Sequence, residues 1–301
     1  MDTFNQSPPV PPEIIDAAQD GSLVLFIGAG ISRLVGCPSW DGFAWQVLEQ
    51  LTPSAMNYHE QKLIRSIPDP RKQLSLAKII ENDAGQSKVD YHEIFDKPLS
   101  EENVYKYINQ YSCSFVTTNY DKFIKPEYVR GKAEQNWRFY ERSDLLASKL
   151  DVRGNVVHLH GCIDNHKSMV VTTKDYLNHY SSNEVPKFLK HLFSKKTVLF
   201  LGYGMEELEI LEYVLKSSDQ QGQEQKRLFI LQGSFNADYS LFEKLKKFYN
   251  ESFNAELIGF SLDKKNYNQQ VEIIKKWGEQ LTFGDQSLID EAAAMEDELN
   301  G

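Results

Sequence analysis

The sequence predicts an α/β fold: a doubly wound parallel sheet with a helical insertion packed over it and no zinc ribbon. Three observations carry that reading. The stretch Leu23-Val24-Leu25-Phe26-Ile27 is an apolar run of strand length that breaks directly into Gly28-Ala29-Gly30, the pattern of a buried strand delivering its end to a tight turn and a helix. From residue 197 to residue 281, runs of strand length alternate with helical ones, and such alternation builds a parallel sheet with helices on both faces. Four strand ends also carry glycine or polar residues, which in a parallel sheet all open on the same side.

The opening residues hold Pro8, Pro9, Pro11 and Pro12, so residues 1–12 read as an extended lead-in, since consecutive prolines cannot donate to a ladder. Residues 13–20 form a short helix closed by Gly21. After the first strand and its glycine turn, Ser39 caps a helix over residues 40–51 whose apolar face is Phe43, Trp45, Val47, Leu48 and Leu51. From about 57 to 110 the pattern is helical, with segments at 60–67, 71–82, 90–95 and 101–110. This is longer than a parallel crossover needs, hence an insertion. Strands follow at 114–117, 137–140 and 156–160. Thr172 or Thr173 caps a helix reaching Tyr180, and a second helix covers 185–194. The strand 197–201 ends in a second glycine turn, Gly202-Tyr203-Gly204. Helix 206–216, strand 228–231, helix 238–249, strand 256–260 and helix 267–281 complete the domain, taken as 13–283. The acidic tail 284–301 carries no assignment.

Composition bounds the function. A chain of 301 residues with 41% apolar residues buries a sizeable core. The balance of 33 basic against 43 acidic residues, a formal charge of −10, argues against direct nucleic-acid binding or an anionic-membrane surface. Lys187, Lys190, Lys195 and Lys196 read as a solvated helix face. No apolar run approaches membrane-spanning length and no basic-then-apolar leader opens the sequence, so a cytoplasmic protein off the membrane is expected. Cys37, Cys113 and Cys162 lie far apart with no C-x-x-C pair and read as small buried hydrophobes.

The four strand ends are Gly28-Ala29-Gly30-Ile31-Ser32, Thr118-Asn119-Tyr120-Asp121, His160-Gly161 and Gly202-Tyr203-Gly204. Glycines at 28 and 30 remove the Cβ atoms that would keep a pyrophosphate away, and the following helix offers N–H groups to negative charge. This ordered set, with Gly36, Pro38 and Leu159, resembles the Rossmann-like sirtuin superfamily, and within it the bacterial sirtuin-like NAD-hydrolase branch of antiphage defence. The resemblance spans about residues 20–235. It implies that Gly28, Ala29, Gly30 and Ser32 hold the NAD diphosphate, with Thr118 and Trp40 beside the ligand. Gly202, Tyr203 and Gly204 would border the adenosine ribose. Asn119 would contact the nicotinamide ribose or its attacking water, Asp121 would lie near the carboxamide, and His160 would act as base or as an orienter of hydroxyls. His158, two residues earlier on the same side of the strand, is the rival; the strand-end position and adjacent glycine favour His160.

Departures narrow the reading. Protein-deacylating sirtuins carry a four-cysteine zinc module between the His-Gly strand and the second glycine turn, whereas that interval here holds Cys162 alone. No metal is expected. The residues after Pro38 are Ser39-Trp40-Asp41, so an aromatic shield survives while an arginine does not. The resemblance therefore implies an NAD+ glycohydrolase releasing nicotinamide and ADP-ribose, an NAD-depleting effector causing abortive infection. It also implies a regulatory partner encoded nearby, such as an ATPase, a nucleotide-processing protein or an Argonaute-like protein, or a regulated homo-oligomer, because so short a chain is expected to lack its own sensor. The alternatives are a non-catalytic NAD or ADP-ribose sensor and a zinc-free deacylase or ADP-ribosyltransferase.

Overall fold

A computed structural model describes residues 4–85, 89–127, 137–203, 210 and 227–282. Gly204, the acidic tail 284–301 and, apart from Ile210, the helix expected at 206–216 lie outside the described residues.

The chain opens with α1 (Pro12–Asp20), β1 (Leu23–Ile27), the single-turn α2 (Ala29–Arg33) and α3 (Trp40–Leu51). Four further helices follow: α4 (Tyr58–Arg65), α5 (Pro70–Asp83), α6 (Tyr91–Phe95) and α7 (Val104–Ile108). Then come β2 (Ser114–Thr117), β3 (Arg138–Phe139) and β4 (Val156–His158), with α8 (Thr173–Tyr180) and α9 (Glu184–Lys195) after them. The last part is β5 (Thr197–Leu201), β6 (Leu228–Ser234), α10 (Tyr239–Phe253), β7 (Ala255–Ser261) and α11 (Asn268–Leu281).

Local chemistry accounts for most boundaries. Pro12 starts α1 where a missing N–H costs nothing, and Gly21 ends it in the left-handed conformation at φ 79°. Ser39 accepts the Gly42 N–H at 3.2 Å to cap α3. Capping boxes open α4, through Asn57 and Glu60, and α8, through Thr172 and Asp175. Asn103 caps α7, which is shorter than the expected 101–110.

Among the described residues the sheet has seven strands, all parallel, in the order β3-β4-β2-β1-β5-β6-β7. The chain therefore runs from β1 to β2, out to the edge at β3 and back to β4, then crosses to β5 and outward through β6 to β7, the doubly wound arrangement expected. The switch point lies between β1 and β5. Side chains alternate cleanly across the sheet. Leu23, Leu25, Ile27, Leu199 and Leu201 join the core beneath α1, α3 to α7 and α11, while Val24, Phe26, Val198 and Phe200 join the core beneath α9 and α10. The helices between 58 and 108 share the first of these cores with the sheet.

The described part of the lead-in, residues 4–11, is strapped down on the domain. Phe4 stacks edge-on against Phe242, and the Trp277 indole N–H donates to the Pro8 carbonyl at 2.9 Å. The strand expected at 156–160 ends at His158. There the Gly161 N–H donates back to the His158 carbonyl at 3.1 Å, and Gly161 adopts φ +81°, so Leu159 and His160 form a turn. All three cysteines are free and buried, and burial pushes the Cys37 thiol up to about 12. Among the described residues no helix is long and apolar enough to cross a membrane.

Candidate active site

Register brings the four strand ends together. Ile27 sits beside both Thr117 and Leu201, and Thr117 beside His158, so the residues that follow each strand leave the sheet at one level over the switch point. The two glycine turns touch there. The Gly28 N–H donates to the Leu201 carbonyl at 2.9 Å and the Gly30 N–H to the Gly202 carbonyl at 2.7 Å. A Cβ on Gly28 would meet the Gly202 oxygen at 2.6 Å, and one on Gly202, already at φ +61°, would meet the Ile31 nitrogen at 2.4 Å. The glycines are thus required by the approach of one loop to the other. The Gly30 N–H expected to face a diphosphate is spent on Gly202; Ala29 is the exposed tip of the turn, and Gly30 and Gly202 are partly exposed.

Asn119 hangs between these elements. Its backbone N–H donates to Thr117 Oγ1 at 3.0 Å, and its side-chain Nδ2 donates to the Gly28 carbonyl at 3.0 Å and to Ser32 Oγ at 2.7 Å. Because a carbonyl can only accept, the Gly28 contact fixes which way the amide points. Both donors are spent inside, and Oδ1 is left as the acceptor with no internal hydrogen bond among the described residues.

Ser32 is the hub behind it. Its hydroxyl gives its proton to Asp121 Oδ2 at 2.6 Å, while Tyr105 OH lies 3.0 Å from Ser32 Oγ. With the serine proton committed, Tyr105 is the donor of that pair. Asp121 is 2% exposed, and its other oxygen accepts the Phe123 N–H at 3.1 Å. Burial raises the Asp121 carboxyl above its ordinary range, opposed by the Ser32 and Phe123 hydrogen bonds. Burial and the Asp121 charge push the Tyr105 phenol well up. Ser32, 4% exposed, and Asp121 turn toward each other, and every polar atom of the pair has an internal partner.

His160 lies on the next strand end beyond Asn119 and is fully buried. Nε2 is 2.7 Å from Tyr180 OH and Nδ1 is 3.4 Å from Tyr176 OH, both on α8. Burial, with His179 and Arg71 nearby, lowers its pKa well below the ordinary value, so the ring is neutral at pH 7. His158 does not share its surroundings. Its ring meets the Asn119 carbonyl, because the strand ends between the two histidines and the expected common side is lost at the turn.

Of the remaining candidates, Thr118 is 8% exposed beside Asn119. Trp40 is partly buried, 6.1 Å from the rings of both Tyr120 and Tyr176. The Tyr203 ring packs on Phe26 and Phe200 at 5.0 and 5.6 Å in the second core, its side chain turned under the sheet end. A cavity of about 330 Å³ lies between α5 and residues 166–175, lined by Glu81, Tyr91, His166 and Asp175 among others, and includes none of the candidate residues. Among the described residues no group of three or more His, Cys, Asp or Glu side chains could hold a metal ion.

Tyr105, Tyr176 and Tyr180 were not legible as site residues. Tyr105 reads as one apolar position of α7. The i, i+4 spacing of Tyr176 and Tyr180, which puts both hydroxyls on one helix face, was the available signal.

An all-parallel doubly wound sheet, two glycine turns in contact at its switch point and a carboxamide fixed between them define a doubly wound α/β domain with its candidate site at the strand ends. Residues 113–253 match the model of the SIR2-like domain family. Two relatives extend the likeness. Defense-associated sirtuin 2 of Bacillus subtilis is 25% identical over 214 residues, 66% of this chain and 19% of that protein. NAD(+) hydrolase ThsA of Enterococcus faecium is 26% identical over 204 residues, 64% of this chain and 39% of that protein. The chain thus spans about a fifth and about two fifths of the lengths of these relatives. The family match begins at residue 113, so the first glycine turn is joined to the site by its contacts with Gly202 and Asn119.

Proposed function

We propose that this protein is an NAD+ glycohydrolase that releases nicotinamide and ADP-ribose and acts by depleting NAD in antiphage defence. The observation that carries the reading is Asn119. Its amide is locked by Gly28 and Ser32 at the switch point of a parallel sheet, the place where such sheets receive dinucleotides, with one acceptor left over. The names of both relatives point the same way, one through defence and one through NAD hydrolysis.

In this reading the bond from C1′ of the ribose to the nicotinamide nitrogen breaks, its electron pair staying with nicotinamide. Water adds at C1′ and loses a proton. Positive charge develops on the sugar in between, and an acceptor held rigidly beside the ribose hydroxyls or the attacking water favours that state. Asn119 Oδ1 is that acceptor. Asp121 holds Asn119 in place through Ser32. A neutral His160 is in the state needed to take the water proton, once it exchanges its contacts on α8 for the substrate. Ala29, Gly30 and Gly202, with Thr118 and Trp40 at the border, form the rim that receives the dinucleotide. The domain is taken as 13–283. A regulatory protein encoded nearby, an ATPase, a nucleotide-processing or an Argonaute-like protein, or assembly of the chain with itself, controls the activity.

Purified protein incubated with NAD+, alone and with such partners, releases nicotinamide. The rate falls at least about a hundredfold in Asn119→Ala and in His160→Ala. Tight NAD binding without turnover under every condition would instead identify a sensor, and turnover only with an acylated peptide would identify a deacylase.

A further inference from the structure

We propose that His158 is a positioning residue for Asn119, its ring Nδ1–H holding the backbone carbonyl of that residue and so fixing where the Asn119 side chain presents Oδ1. The inference rests on the reading of Asn119 given above and extends it to a residue outside the four strand ends.

Geometry carries it. His158 Nδ1 lies 3.1 Å from the Asn119 carbonyl oxygen. A carbonyl offers no proton, so Nδ1 carries the hydrogen and the neutral ring is confined to one tautomer. Nε2 is then a bare acceptor, fully buried and without a hydrogen-bond partner. Leaving a buried polar atom unpaired opposes folding, so a ring nitrogen that packing alone would replace with carbon is retained with only one working contact. That contact is on Asn119. The residue is thereby gripped at three points: its N–H by Thr117, its carbonyl by His158 and its amide by Gly28 and Ser32. The first and third grips come from β2, the first glycine turn and α2. His158 supplies the only one of these grips that comes from β4, the strand whose end carries His160. The Asn119 loop and the His160 turn are tied through it. The ring stays neutral across the working range, since burial, with Arg138 nearby, lowers its pKa to about 3; it neither gives nor takes the reaction's proton.

The test separates positioning from packing. His158→Leu fills the space without a donor; His158→Asn puts an amide N–H where Nδ1 stood. Under the condition in which the wild type turns over, His158→Leu loses about ten- to a hundredfold in kcat for nicotinamide release, with KM for NAD+ within about twofold. His158→Asn recovers kcat to within about threefold of wild type with the same pH profile. If both variants lose activity only in proportion to their folded fraction, measured by circular dichroism, the role is structural and the proposal falls. If His158→Asn is as slow as His158→Leu while fully folded, a proton-transfer role replaces it. Nitrogen-15 spectra of histidine-labelled wild type give a readout free of turnover. They should show His158 protonated at Nδ1 and bare at Nε2 without titrating between pH 5 and 9, and the opposite tautomer overturns the contact. A wild type that never releases nicotinamide defeats the hydrolase reading but not this hydrogen bond, which the ring spectrum decides by itself.

Discussion

The hydroxyl of Ser32 accepts from Asn119 and Tyr105 and gives its only proton to Asp121. Its removal leaves a buried carboxylate and a buried amide each one partner short. Ser32→Ala therefore costs about 2 kcal/mol of stability, read by urea unfolding, and Tyr105→Phe about 1 kcal/mol, since Ser32 still serves both other partners. Equal losses in the two variants would mean that the network is not centred on the serine. Gly202→Ala is the severer change. Its φ of +61° and the Ile31 nitrogen 2.4 Å from the added Cβ act together, and about 3 kcal/mol or failure to accumulate is expected. At this scale the sequence was a good guide to which residues meet and a poor guide to why. Gly28, Ser32, Asn119 and Asp121 stand in a recognisable order and do converge. Sequence order, however, says nothing of which atoms are already spent, so it does not reveal that the glycines also make room for each other. Tyr105 escaped because a tyrosine between Val104 and Lys106 in a helix reads as packing, and only the fold reveals where its hydroxyl ends.

Helix α8 sets what His160 can reach. Tyr176, His179 and Tyr180 all lie within about ring-contact distance of that imidazole, at centroid separations of 5.0, 5.8 and 5.9 Å. The helix is pinned at its start by the Thr172 and Asp175 capping box and by the Thr173 N–H donating to Ser75 on α5 at 3.0 Å. For His160 to take a proton from water at the sugar, the Tyr180 contact has to open first. Tyr180→Phe removes that contact from the resting state. Its expected result is a paired one: stability falls by about 1 kcal/mol, and nicotinamide release rises by up to about fivefold, the same free energy expressed as a rate. A drop in both would assign Tyr180 to the reacting state instead. Elements whose boundaries are set by local chemistry were legible, as at Ser39 and Thr172, where a hydroxyl sits just before a helical apolar pattern. The end of β4 was not, because Val156 to His160 continues the strand's pattern and only the positive φ of Gly161 breaks it.

Three buried histidines give the whole molecule a predictable response to acid. Burial lowers the pKa of His158 to about 3, that of His179 to about 4 and that of His160 well below its ordinary value. In the unfolded chain each titrates near 6.5, so between the two values the unfolded state binds a proton that the folded state refuses. Stability then rises with pH through that window and is fully present above roughly 6.5. His158 and His179 each cost about 1.4 kcal/mol per pH unit below that point, together about 3 kcal/mol at pH 5.5, and His160 acts in the same direction. Asp121 has the opposite sign: its raised carboxyl holds a proton in the fold that the unfolded chain has lost, which offsets part of the loss as pH falls. The histidines outnumber it, so unfolding free energy measured in urea at constant ionic strength should fall steeply from pH 7 to pH 5.5 and stay nearly level from 7 to 8. His179→Leu isolates one contribution. Its Nε2 is buried without a hydrogen-bond partner, so the substitution removes a titrating group without stranding another polar atom, and the slope below pH 6.5 should shrink by about a third. A wild-type profile flat from 7.5 to 5.5 would mean that these rings open to water in the native state. His160 would then already be reachable, and α8 would not be the barrier that the fold makes it.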